Sequence, residues 1–156
     1  MILTIDTTED CDITIRAYEL RTIQIGAVAS LRTSGYLKGN QLAIETSDTS
    51  QITLNNITYE VVEVLLLKNS NITLSGSTQR LHVIQLGQGT FDSRSLSTDH
   101  ATVFTNNSGL VKINSNNYLS LSVGRIGNII WCSPYGDIRT ERTMNDASRN
   151  IVYHCD

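Results

Sequence analysis

The segment from Leu81 to Val123, LHVIQLGQGTFDSRSLSTDHATVFTNNSGLVKINSNNYLSLSV, decides the fold because it repeats itself at a fixed interval. Leu81, Ala101 and Leu121 lie 20 residues apart, as do Val83, Val103 and Val123, while Phe91 recurs as Val111 and Gly89 as Gly109. Upstream, the same step relates Val61 to Leu81, Ile52 to Ile72 and Leu54 to Leu74. A β-sandwich also spaces short strands regularly, but nothing in it obliges residue i to match residue i+20. That match is required when each coil of chain stacks on the previous one, with equivalent side chains superposed about 4.8 Å apart.

Within each coil, apolar residues alternate with polar ones, as in Ile13-x-Ile15, Ile23-x-Ile25, Leu42-x-Ile44, Ile72-x-Leu74, Val111-x-Ile113 and Leu119-x-Leu121-x-Val123. Period two marks strands with one face buried, and helical spacing is missing until the tail. The pattern predicts an all-β fold, a single-stranded right-handed parallel β-helix with coils of about 20 residues. The β-helix is expected over 1–138, followed by a C-terminal capping tail over 139–156 with a short helical turn at Met144 to Arg149. The residues before Leu31 fit the repeat poorly and read as a cap at the other end.

A single coil cannot stand alone. Ordering about 20 residues costs on the order of 30 kcal/mol, and burying about 1,200 Å² of apolar surface returns roughly the same amount. Neighbouring coils must tip the balance.

Corners have their own chemistry. Asn56 and Gly76 lie one coil apart, and both residue types tolerate the left-handed backbone that a sharp turn demands. Asn69-Ser70-Asn71, Gly87-Gln88-Gly89, Asn106 to Gly109, Asn116-Asn117 and Gly127-Asn128 mark further turns. Glu63 falls where Val83 and Val103 later stand. A one-residue slip that turns Val62 and Val64 inward would return Glu63 to water.

The chain has 156 residues, 17% of them charged, and a formal charge of -3, so it carries no field that gathers phosphate backbones. Nucleic acid is not an expected partner. No stretch has the length to span a membrane, since Val61 to Leu67 is interrupted by Glu63. The opening residues, Met1 to Asp6, lack the basic and apolar segments of a signal peptide. Three cysteines, Cys11, Cys132 and Cys155, leave at least one unpaired, and their wide spacing suggests neither a CxxC motif nor a disulfide framework.

From Leu81 to Ile138 the chain resembles the head GIN domain family of auto-transporter adhesin-like proteins of Bacteroidetes. The family repeats strands around Gly-x-Gly corners and ends on Gly-x-Gly-x-Ile-x-Tyr-x-Gly-x-Pro. Gly124-Arg125-Ile126-Gly127-Asn128-Ile129-Ile130-Trp131-Cys132-Ser133-Pro134 is similar to that ending, with Trp131 in place of Tyr and Ser133 in place of Gly. The resemblance implies a right-handed parallel β-helix exported to the cell envelope, with no established catalytic residues.

Candidate sites each have a plainer explanation. Gly87-Gln88-Gly89 and Gly124-x-x-Gly127 suggest phosphate loops, but such loops open a helix and none is expected here. Asp92, Arg94, Asp99 and His100 share one coil and could form the acid–base set of a carbohydrate-active enzyme, yet Ile72 and Lys112 occupy the positions one coil either side of Asp92. Glu9, Asp10 and Asp12 lack the spacing of a calcium loop. Cys132, His154 and Cys155 would give at best incomplete zinc coordination. Asn56, Asn71 and Asn106 open glycosylation sequons that turn and strand chemistry explains equally well. Tyr18, Tyr36, Tyr59, Tyr118 and Tyr135 could stack sugars, but share no common offset.

The sequence therefore points to a non-catalytic surface or scaffold protein. No catalytic, cofactor-binding or metal-binding residue is assigned, no cofactor is expected, and the binding residues are unknown. Its partner would be a protein or glycan surface, and a homo-oligomer is compatible with the pattern. The alternatives are a carbohydrate-active β-helix enzyme and a cytoplasmic β-helix that polymerises end to end.

Overall fold

The computed structural model describes residues 1–6, 17, 19–26, 28–106, 108–124, 127–132, 139–144 and 151–155. Twelve strands follow in order: β1 (Ile2–Ile5), β2 (Thr22–Ile25), β3 (Ser30–Arg32), β4 (Leu37–Thr46), β5 (Gln51–Leu66), β6 (Asn71–Gln85), β7 (Thr90–Thr105), β8 (Leu110–Asn114), β9 (Tyr118–Val123), β10 (Asn128–Cys132), β11 (Arg139–Met144) and β12 (Ile151–Cys155). Every pairing is parallel, and the chain winds into a solenoid of about six turns with coils near 20 residues. Among the described residues there is no helix, and so none long and apolar enough to cross a membrane.

The longest strands bend twice, because alternation is interrupted where two neighbouring residues both avoid the core. In β5 this happens at Asn55-Asn56 and Glu60-Val61, in β6 at Gln79-Arg80, and in β7 at Arg94-Ser95 and Asp99-His100. The first bend of β6 is one residue shorter, with Ser75 at the corner and Gly76 in the inward column between Ile57 and Leu96. Each of these coils thus presents three faces. Near the first bend, β5 and β6 each use one positive φ, 55° at Asn56 and 129° at Gly76, which their residue types tolerate, whereas β7 turns at Arg94-Ser95 without one. At Gly76, an added Cβ would collide with the Ile57 carbonyl.

Inside, the side chains stack in columns. Ile52, Ile72, Phe91, Val111 and Ile129 form one, and Leu3, Ile23, Ile44, Val64, Val83, Val103 and Leu121 another, all buried. The slip at Glu63 is present: Val62 pairs with Leu81 and Val64 with Val83, both valines are buried, and Glu63 stays in water.

The repeat differs from its sequence reading in three places: Leu81 meets Val62 and not Val61, Gly76 meets Ile57 and not Asn56, and the step above Val103 is shorter. Val103 does superpose on Val83, but the next step is 18 residues, so Val103 meets Leu121, Ala101 meets Leu119, and Val123 lies over Thr105. Ser115-Asn116-Asn117 is the cause. Where β7 runs through a second face, these three residues make a tight turn, with the Asn116 and Asn117 amides donating to the Thr98 and Asp99 carbonyls and the buried Ser115 hydroxyl donating to the Tyr118 carbonyl at 2.7 Å. Two residues are saved, and the column continues with a different valine–leucine pairing.

Beyond Arg139, β11 stacks parallel on β9 and β12 on β10. Met144 closes β11 and does not begin a helical turn, and 145–150 lie outside the described residues. The register sets Thr140, Arg142 and Met144 opposite Leu119, Leu121 and Val123.

The cysteine reading also changes. Cys132 is disulfide-bonded, and Cys155 stands directly opposite it in register between β10 and β12. A separation that looks wide along the chain is one coil in space. Cys11 lies outside the described residues.

Two measurements check this architecture. A double-mutant cycle of Val103→Ala with Leu121→Ala is expected to show about 0.5–3 kcal/mol of coupling, and Val103→Ala with Val123→Ala distinctly less. Peptide mapping without reduction is expected to recover Cys132 linked to Cys155, and a Cys132–Cys11 link would contradict that assignment.

Candidate functional site

The acid–base candidates separate into two groups. Asp92 faces outward on the first face of its coil, between Thr73 below and Lys112 above. Arg94 grips it through Nε to Oδ1 at 3.0 Å and Nη2 to Oδ2 at 2.7 Å, and the Arg94 amide donates to Oδ1 at 3.2 Å. The Lys112 ammonium is 3.6 Å away. Partial burial pushes the Asp92 carboxyl up, but the hydrogen bonds and positive charge from Arg94, with Lys112 behind them, outweigh it and hold the group below the usual carboxylate range. A carboxylate so bound is a structural anion, poorly suited to give up a proton.

Asp99 and His100 form the second bend of β7, a face away from Asp92. The His100 ring leans on Tyr118 from the next coil, with centroids 6.2 Å apart and planes at 38°. Among the described residues, no hydrogen bond or ion pair joins Asp99 or His100 to Asp92 or Arg94.

The glycine motifs are corners. Gly87 and Gly89 are buried, and a Cβ on either would collide with the carbonyl of Lys68 or Ser70 in the coil below. Strand β7 begins immediately after Gly89, so no helix amino terminus faces this turn. Ser50 and Ser70 precede Gly89 in the same stacked position, and the Ser50 hydroxyl donates to that of Ser70 at 3.0 Å. The sequence marks Ser70 as part of a turn, but Ser50 carries no such signal. Small size is what they share with the glycines.

Among the described residues, no three of His, Cys, Asp and Glu gather as a metal site. Glu9, Asp10 and Asp12 lie outside the described residues, as do Tyr18 and Tyr135. Sulfur held in a disulfide is not available as the thiolate that zinc requires, which removes Cys132 from the zinc set. Asn71 is engaged, its Oδ1 accepting the Thr90 amide at 3.0 Å. Tyr36 is exposed, whereas Tyr59 is buried with its hydroxyl donating to the Leu20 carbonyl at 2.8 Å, and burial pushes that phenol up.

An open groove of about 270 Å³ follows the second face across four coils, from Gly39 to Asp99. Thr58, Ser77 and Ser97 line it as a hydroxyl ladder in register, extended by the Asn116 amide, which donates to the Ser97 hydroxyl at 3.0 Å. Glu60, Gln79 and Asp99 line it at the bend, and the His100–Tyr118 ring pair begins beside Asp99. Of these residues, sequence reading singled out Asp99, His100 and Tyr118. The hydroxyls carry a signal only in their recurrence at steps of 19 and 20 residues.

The fold has relatives. A crystal structure of a "putative adhesin" from Bacteroides fragilis superposes with a TM-score of 0.77 at 15% identity, covering 87% of this chain. This chain spans 61% of that protein's length. No curated protein matches the chain. The model of the family described as "Putative auto-transporter adhesin, head GIN domain" matches residues 4–134, most of the sequence and nearly all of the stacked coils. With its Gly-cornered coils and their parallel stacking, the chain belongs to the head GIN domain family.

Proposed function

We propose that this chain is a non-catalytic, adhesin-like surface module that holds a glycan in the groove of its second face. The groove itself carries the reading. It offers rows of hydroxyl and amide groups at the rung spacing of about 4.8 Å, which suits a ligand rich in hydroxyls that both donate and accept. The adhesin description of its family supports binding at a surface without naming a ligand. A regular stack is stiff, so its polar groups are preorganised and lose little entropy on binding.

A second reading rests on the same groove. Glu60 and Asp99 both line it, two rungs apart with Gln79 between, and a pair of carboxylates across a sugar chain is what a glycoside hydrolase requires. Cleavage distinguishes the two readings.

On a glycan array, the protein is expected to retain at least one glycan class without releasing new reducing ends, and Glu60→Gln with Asp99→Asn to weaken retention at least tenfold. A chain that retains no glycan, or one that cleaves what it retains, contradicts the proposal. Asp92 provides an independent check of its structural role. Asp92→Asn is expected to leave glycan retention unchanged while lowering stability at pH 7 by about 1 kcal/mol or less. Because the folded carboxyl titrates below its unfolded value near about 4, the stabilisation is fully present above that pH and fades as the folded group protonates. The two proteins' stabilities should therefore converge towards pH 2.

A further inference from the structure

The third face carries an apolar ladder that the groove does not use. Leu65, Ile84 and Phe104 stand directly over one another and point outward, with Ile84 45% and Phe104 37% exposed. Leu86, 43% exposed, extends the patch beside Ile84. Elsewhere on this face the outward residues are mainly polar, including Gln24, Glu63, His82, Thr102, Ser120 and Ser122. A contiguous apolar patch rimmed by polar residues marks an interaction site.

We propose that this face docks on the same face of a second copy of this chain, with a two-fold axis running along the strand through Ile84. The ladder is self-complementary about that residue. Read upward it runs Glu45, Leu65, Ile84, Phe104, Ser122, polar at both ends and apolar in the middle. The axis lays Ile84 on Ile84, Leu65 on Phe104 and the Glu45 carboxylate on the Ser122 hydroxyl, which can donate to it. In the neighbouring column it sets Glu63 against Thr102, again an acceptor against a donor, and His82 against its own copy. Arg80 falls at the solvated rim.

Shape agrees with this pairing. Beside Leu65 lies a hollow of about 260 Å³, opened by the small side chain of Ala43 and bordered by Glu45, Glu63, Leu65, His82 and Ile84. Phe104 of the second copy arrives next to this hollow and has the bulk to enter it. Seven rungs centred on Ile84, by seven residues along the strand, give a face of about 34 Å by about 23 Å, or about 780 Å². That is close to the roughly 800 Å² per partner of a standard interface. Two such sheets pack about 10 Å apart. Neither Glu45 nor Glu63 has a cationic partner among the described residues, and both accept from glutamine amides, Gln24 at 3.4 Å and Gln41 at 2.8 Å.

Sedimentation velocity on the full chain from about 1 to 200 μM tests the assignment. Reversible dimerisation is expected, with Ile84→Asp raising the dissociation constant at least tenfold and Tyr36→Asp, at an exposed residue that precedes β4 at the first bend, leaving it unchanged. Circular dichroism melts should show that both variants remain folded. A chain that stays monomeric at 200 μM, or a dimer indifferent to Ile84→Asp, would overturn the proposal. So would a monomer that retains a basic peptide or a glycan through Ile84 and Phe104. Loss of glycan retention by the groove variants leaves dimerisation intact, so the two proposals fail separately.

Discussion

Inward side chains in a parallel solenoid obtain their burial from the rungs above and below, and this constraint governs the rest of the molecule. Ile72 is dry because Ile52 and Phe91 cover it, and Val83 because Val64 and Val103 do. Among the described residues, no separate layer packs against the sheet to supply a core. Register therefore matters more than residue identity: isoleucine, phenylalanine and valine interchange along a column, whereas a one-residue shift would bring Glu63 inside. The corners obey the same demand, and bulk is lost wherever two coils' backbones approach, as at Ser70 and Gly89.

Because the interior fixes one residue in two, the outward residues are free to differ between faces. The first face carries the locked ion pairs of Asp92, the second a polar groove, and the third an apolar ladder. Family membership fits this division. A common stack specifies little about ligands, and the outward residues decide what is bound. The proposed glycan groove and self-association face lie on different sides of the bend at Glu60, Gln79 and Asp99, so one copy could use both.

Much of the architecture was legible because the period is written in large residues. Ile52 over Ile72 and Val83 over Val103 follow from spacing, and the positive φ of Asn56 and Gly76 from residue type, but the register sets Gly76 over Ile57 and not over Asn56. Val123 was assigned to the wrong neighbour because the turn at Ser115-Asn116-Asn117 shortens the coil without altering the alternation on either side. Two residues are an even number, so the slip leaves every side chain on its expected face and is invisible to a period-two reading. Cys132 was missed for a related reason, since separation along the chain was not converted into coils. The groove was the least legible part. Thr58, Ser77 and Ser97 resemble the polar outer residues of any strand, and only the stacking brings them into one row.

The central claim is parallel stacking in the stated register, and amide-to-α-proton NOEs between rungs in the isotope-labelled protein test it most directly. The account expects cross-rung contacts linking Val83 with Val103 at a step of 20 and Val103 with Leu121 at a step of 18, alongside those joining Ile72 to Phe91 and Phe91 to Val111. Close α-proton to α-proton contacts between neighbouring strands, the mark of antiparallel pairing, or contacts linking Val103 with Val123 in their place, would contradict it.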